Sequence, residues 1–140
     1  MHASLPALKI ALPDGWIDQS MALFLMPPPP RDPRSMQPHT DVSLGNITVT
    51  WLTTTAAASA VLANKLEAMR SNEGFLLETP AAADGDVAWA TTSAGQTQRV
   101  FQVHAVRRVG DLVVSVVGSA MGPTLNDVRR ATLAAAQSLV

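Results

Sequence analysis

Apolar and polar positions along this chain alternate in short extended runs, broken twice by a helical period. Period-two patterning, or brief apolar runs bounded by turn residues, predicts strands near Ala7–Leu12, Ala22–Met26, Asn46–Leu52, Phe75–Thr79, Val87–Thr92, Arg99–Val109 and Leu112–Ser119. A 3.6-residue period takes over at Ala57–Arg70, where Leu62, Leu66 and Met69 form one stripe. It returns at Leu125–Leu139, where Leu125, Val128, Thr132, Ala135 and Leu139 share a face and Arg129, Arg130 and Gln137 point away. Pro123 suits the entry to this second helix, and Thr124 with Asp127 three residues on makes a capping-box variant. The order βββαββββα predicts an α+β fold: a largely antiparallel twisted sheet with two helices packed on one face.

Turn chemistry sets the joints. Gly110-Asp111, between Val109 and Leu112, reads as a two-residue hairpin turn led by glycine. Pro13-Asp14-Gly15 predicts a tight corner carrying Trp16, because Pro presets φ, Asp bonds its own backbone and Gly admits positive φ. Between Pro27 and Pro38 stand six prolines, which exclude helix and interior strand. That segment is either a stiff connector between strands or a polyproline recognition element gating a groove. No internal repeat is present.

The last two strands are apolar on both sides. Phe101, Val103 and Ala105 oppose Val100, Gln102, His104 and Val106; Leu112, Val114 and Val116 oppose Val113, Ser115 and Val117. Such strands are expected where both sheet faces are covered. Two helices cover about one face, so the second face is expected to meet another chain. In the earlier strands Ile47, Val49 and Trp51 oppose Thr48, Thr50 and Leu52, and Val87, Trp89 and Thr91 oppose Ala88, Ala90 and Thr92. The side rich in small hydroxyl and methyl groups is either a solvated sheet surface or the lining of a binding face.

At 140 residues the chain is expected to be a single domain, residues 1–140, able to bury a core unaided. Charged residues make up only 15% of it, against about a quarter in an ordinary globular chain. Apolar surface is therefore expected to be covered by a second copy or a client. A net charge of −1 makes no electrostatic case for nucleic acid or an anionic membrane. The first residues, Met1 to Pro6, lack a basic n-region and an apolar core, and no apolar run reaches the roughly 18–20 residues of a spanning helix. A soluble, cytoplasmic protein without a signal peptide is expected.

Candidate chemistry is sparse. There is no cysteine, and His2, His39 and His104 have no metal-ligand spacing. Asp14, Asp18, Asp84, Asp86, Asp111 and Asp127 fall at turns or caps, and Ser115 and Ser119 have no base nearby in sequence. No phosphate loop, G-x-S-x-G elbow or paired acid and base is present. Arg107-Arg108 and Arg129-Arg130 read as solvated basic pairs, and Trp16, Trp51 and Trp89 as core anchors. The expectation is a binding protein, not an enzyme, with no cofactor and no metal.

The opening Leu12-Pro13-Asp14-Gly15-Trp16-x-Asp18-x-Ser20, after an N-terminal strand, resembles DcrB-like domains of Mog1/PsbP type. More closely it resembles the Eag (effector-associated-gene) chaperones of bacterial type VI secretion. Asn46-Ile47-Thr48-Val49, the Leu62/Leu66 helix, Gly85 before a strand, the hairpin from Gln98 to Val117 and the closing helix extend the likeness over nearly the whole chain. Thr53-Thr54-Thr55 departs from it where relatives carry an Arg, and the closing helix lacks their aromatic. The resemblance implies a cytoplasmic homodimer that shields the N-terminal transmembrane helices of a secreted effector, often one carrying a PAAR domain, and aids its loading on the secretion spike. Strand alternation then nominates Val100, Gln102, His104, Val114, Val116 and Thr50 as the client groove, in which Gln102, Thr50 and Ser115 would hydrogen-bond small polar residues of the client helix. The alternative is a regulatory protein-binding adaptor of Mog1 type, without membrane-segment clients.

Overall fold

The computed structural model describes residues 21–27 and 45–140, together with residues 11, 13, 14, 33 and 34. The expected first strand, Ala11 apart, and the Trp16 corner, Pro13 and Asp14 apart, lie outside the described residues. So does the Pro-rich segment, except Pro27, Pro33 and Arg34. The remaining periodic runs become β1 (Met21–Leu25), β2 (Gly45–Thr53), α1 (Ala58–Met69), β3 (Leu76–Asp84), β4 (Val87–Ala94), β5 (Val100–Val109), β6 (Leu112–Ala120) and α2 (Leu125–Gln137). All six strands join one antiparallel sheet in the order β1-β2-β6-β5-β4-β3. The fold is α+β, as the pattern predicts.

Two glycine-led turns build the hairpins. Val109 pairs with Leu112 across Gly110-Asp111, and Asp84 pairs with Val87 across Gly85-Asp86. Gly110 at φ 63° and Gly85 at φ 58° take the left-handed conformation that these turns require. β3 runs five residues beyond its expected end at Thr79 and through Pro80, which lies at the sheet edge and within the register shift between Thr79 and Ala82. Proline is tolerated there because an edge strand with bulges forgoes some ladder hydrogen bonds.

The helices do not share a face. Ala136 of α2 packs with Val49, Val87, Ala105, Val114 and Val116, flanked by the partly buried Trp51 and Trp89. Leu62 of α1 packs with Ala90, Val106 and Val113, flanked by Val61 and Leu66. Val113 and Val114 are neighbours in β6, as are Ala105 and Val106 in β5, and side chains of adjacent strand residues project to opposite sides. The expected packing of both helices on one face is therefore corrected: α2 covers one side of the sheet and α1 part of the other. The two-sided apolar strands are explained by cover from both helices, and what α1 leaves bare on its side is exposed.

α2 approaches its face closely. Val128, Thr132 and Ala136 are its buried residues, one turn apart, and a Cβ on Gly118 would overlap Thr132 Oγ1 and Val128 Cγ1. The expected capping box is replaced by a 3₁₀ turn, Gly122–Thr124, and the Thr124 hydroxyl donates backwards to the Met121 carbonyl at 3.1 Å.

Candidate functional site

Cross-strand register arranges the α1 side of the sheet in rows. One runs Met21, Thr50, Ser115, Val106; the next Leu23, Thr48, Val117, His104, Ala90; the third Leu25, Asn46, Ser119, Gln102, Thr92. α1 covers the β4–β5 end of these rows through Leu62. At the other end large apolar side chains face outward: Met21 is 61% exposed, Leu23 58%, Leu25 66% and, beyond them on β2, Leu52 55%. Between cover and rim lies a seam of small polar groups: Thr48, Thr50, Ser115, Ser119 and Gln102. The Gln102 amide donates to Ser119 Oγ at 3.2 Å. An apolar rim with a hydroxyl and amide floor can hold an apolar helix and offer hydrogen bonds to small polar residues along it.

Thr50, Val100, Gln102 and His104 lie on this face, with Val100 40% exposed near its end. Val114 and Val116 do not: they are buried on the opposite face, under α2. A two-residue turn pairing Val109 with Leu112 sets even-numbered β5 residues beside odd-numbered β6 residues, so the strand neighbours of His104 and Val106 are Val117 and Ser115. The Gly110-Asp111 turn contained that parity. The same alternation, carried into Met21–Leu25, would also have found the rim residues Met21, Leu23 and Leu25.

His104 is the buried titratable group of this face. It is 2% exposed, its Nε2 lies 3.0 Å from Thr92 Oγ1, and its Nδ1 has no hydrogen-bond partner. Burial, with the nearby positive charge of Lys65, pushes its pKa down to about 4, so the ring is neutral near pH 7. Burial also lowers the pKa of Lys65, which reaches down from α1. Among the described residues no three His, Cys, Asp or Glu side chains gather as metal ligands.

Arg107 and Arg108 are not a solvated pair. Arg107 Nη1 donates to Gln137 O at 2.7 Å and Leu139 O at 2.8 Å, with Ala136 O at 3.3 Å, at the end of α2. Arg108, on the other face, donates through Nη2 to Ala56 O just ahead of α1 and through Nη1 to Gly110 O. Consecutive residues of one strand thus fasten one helix each. Of the expected tryptophan anchors, Trp51 and Trp89 are half-buried beside the α2 core.

No protein-family model matches the chain, and no curated protein matches it by sequence. Among solved structures it is similar to PA94 from Pseudomonas aeruginosa, a protein of unknown function described as a candidate regulator, with a TM-score of 0.64 and 17% identity over 92% of this chain and 88% of that one. A weaker likeness, TM-score 0.46 and 18% identity over 81% of this chain and 79% of the other, is to LpqN of Mycobacterium tuberculosis, involved in cell envelope biogenesis. The likeness to PA94 is one of fold. No helix among the described residues is long and apolar enough to cross a membrane.

Proposed function

We propose that this chain is a non-catalytic chaperone that holds a hydrophobic helix on the open side of its sheet. Its client would be the N-terminal transmembrane helices of a type VI secretion effector, kept soluble by a cytoplasmic homodimer until loading on the secretion spike. The observation that carries this reading is the outward-facing row of Met21, Leu23, Leu25 and Leu52 beside the Thr, Ser and Gln seam. The resemblance of Leu12-Pro13-Asp14-Gly15-Trp16 and the pattern after it to Eag chaperones supports the choice of client.

The physics is a replacement solvent. An isolated spanning helix of roughly 20 residues exposes too much apolar surface to stay dispersed in water. Covering about 500 Å² of it is worth on the order of 12 kcal/mol gross. Losses of translational and side-chain freedom offset much of that, which leaves hand-over feasible. The hydroxyl and amide groups add register, since an unmatched polar group in the contact is penalised.

Co-expression with the N-terminal segment of a neighbouring effector tests it. A soluble complex that co-purifies is the expected result, whereas an aggregated segment beside free chaperone overturns the reading. Capture of a folded soluble partner, with no affinity for apolar helices, would assign the chain to regulatory adaptors of Mog1 type instead.

A further inference from the structure

On the opposite side of β1, a cavity of about 340 Å³ opens between the end of the strand and the first turns of α2. Phe24, Met26, Pro27, Ile47, Val128 and Ala131 give it apolar walls. Its volume is at the lower end of the range of roughly 300–1,000 Å³ for ligand sites. Among the described residues that line it, one is charged: Asp127, in the first turn of α2. Among the described residues no cation pairs with Asp127; Arg129 is turned to Asn126 Oδ1 at 3.1 Å, and the other cation of that turn, Arg130, is exposed. Leu25 belongs to both regions, lining this cavity and standing exposed on the rim of the open face.

We propose that this cavity takes the flank of the bound helix: a large apolar side chain followed by a Lys or Arg whose cation meets Asp127. The inference rests on the function proposed above and names the end of the client that the open face does not accommodate. Membrane-spanning helices carry Lys and Arg at their ends, next to the apolar body. A helix lying along Leu23 and Leu25 and ending at the close of β1 would set its flank beside Met26 and Pro27, which line the cavity. An apolar slot with a carboxylate at its wall selects that combination over an acidic flank. The positive end of the α2 dipole tempers the carboxylate and solvent screens it, so the charge discriminates more than it binds.

The experiment uses two dye-labelled synthetic helices of roughly 20 Leu and Ala residues, one ending in Phe-Lys and one in Phe-Glu, read by fluorescence anisotropy at low salt. The wild-type chain should hold the Lys-ended peptide about three- to five-fold tighter, an exposed-pair effect. Asp127→Lys should reverse the preference, and Ala131→Trp, which fills the slot from an exposed helix position, should weaken both peptides about ten-fold. Circular dichroism checks that both variants keep the fold. If neither peptide binds the wild type, the proposed function itself falls, and this inference with it. If both bind equally, and neither variant changes that, the cavity is not part of the client site while the open-face reading stands.

Discussion

His104 is held at a position that suits only its neutral form. Its Nδ1 is buried without a partner, and Lys65 stands close enough to oppose a second positive charge. The unfolded chain takes up this proton near pH 6.5, whereas the folded protein resists until about pH 4. Between those values the unfolded state binds more protons, so the contribution of the neutral ring is complete above pH 6.5 and is lost as the pH falls towards 4. The loss amounts to about 2 kcal/mol at pH 5 and about 3 kcal/mol at pH 4. Urea midpoints measured from pH 8 to pH 5 should fall accordingly. His104→Gln, which keeps a neutral hydrogen-bonding side chain, should show a flatter profile; parallel profiles for the two proteins would remove His104 as the cause. Gly118 is sensitive for a different reason, since α2 occupies the space of its missing side chain. Gly118→Val should destabilise the protein by about 1–3 kcal/mol through overpacking, read from the same urea curves at pH 7.

At the scale of elements, the two arginines at the end of β5 decide how firmly each helix is seated. Removing a charged donor from carbonyls at a helix end forfeits about 2–3 kcal/mol. Arg107→Met should therefore lower stability by that amount and speed amide exchange in the last turn of α2. Arg108→Met should loosen the start of α1 and leave α2 protected. Exchange that rises equally in both helices for either variant would contradict this division. The elements themselves were legible, because each depends on local chemistry: Gly110 must adopt positive φ to close its hairpin, and Leu62 and Leu66 repeat at helical spacing. The face chosen by each helix was not. Leu112 to Val117 is apolar on both sides, so nothing local distinguishes the surface under α2 from that under α1. Val114 and Val116 were misplaced for a narrower reason. The two-residue turn already determined which β6 residues flank His104, and that parity has to be carried across the hairpin before strands are matched. The carbonyl targets of Arg107 lie some thirty residues away in sequence, and no local pattern announces them.

For the whole molecule, the asymmetry between the two sheet faces is what makes a binding role physical. α2 packs over the middle strands of its side and leaves Phe24 and the cavity at the end of β1 open, whereas α1 stops short of β1 and β2 and leaves the longer row Met21, Leu23, Leu25 and Leu52 exposed. Met21, Leu23, Leu25 and Leu52, exposed together along one edge of that side, form a contiguous apolar surface of the kind that another apolar surface can cover. Leu23 and Leu52 are more than half exposed on that rim, so Leu23→Lys with Leu52→Lys should shift folding stability by no more than about 0.5 kcal/mol each. The same double variant should weaken capture of the Lys-ended Leu/Ala helix by at least about ten-fold, the loss expected when charges are forced into an apolar contact. Sedimentation velocity on that protein separates the two occupants. If the chain forms a homodimer through the rim, the variant sediments as a monomer where the wild type does not, and client capture falls with it. If the dimer survives while capture is lost, the subunits join elsewhere and the rim serves the client alone. Unimpaired capture by a folded, lysine-bearing rim would mean that the exposed leucines do not bind the helix, and the functional reading would fail on its central observation.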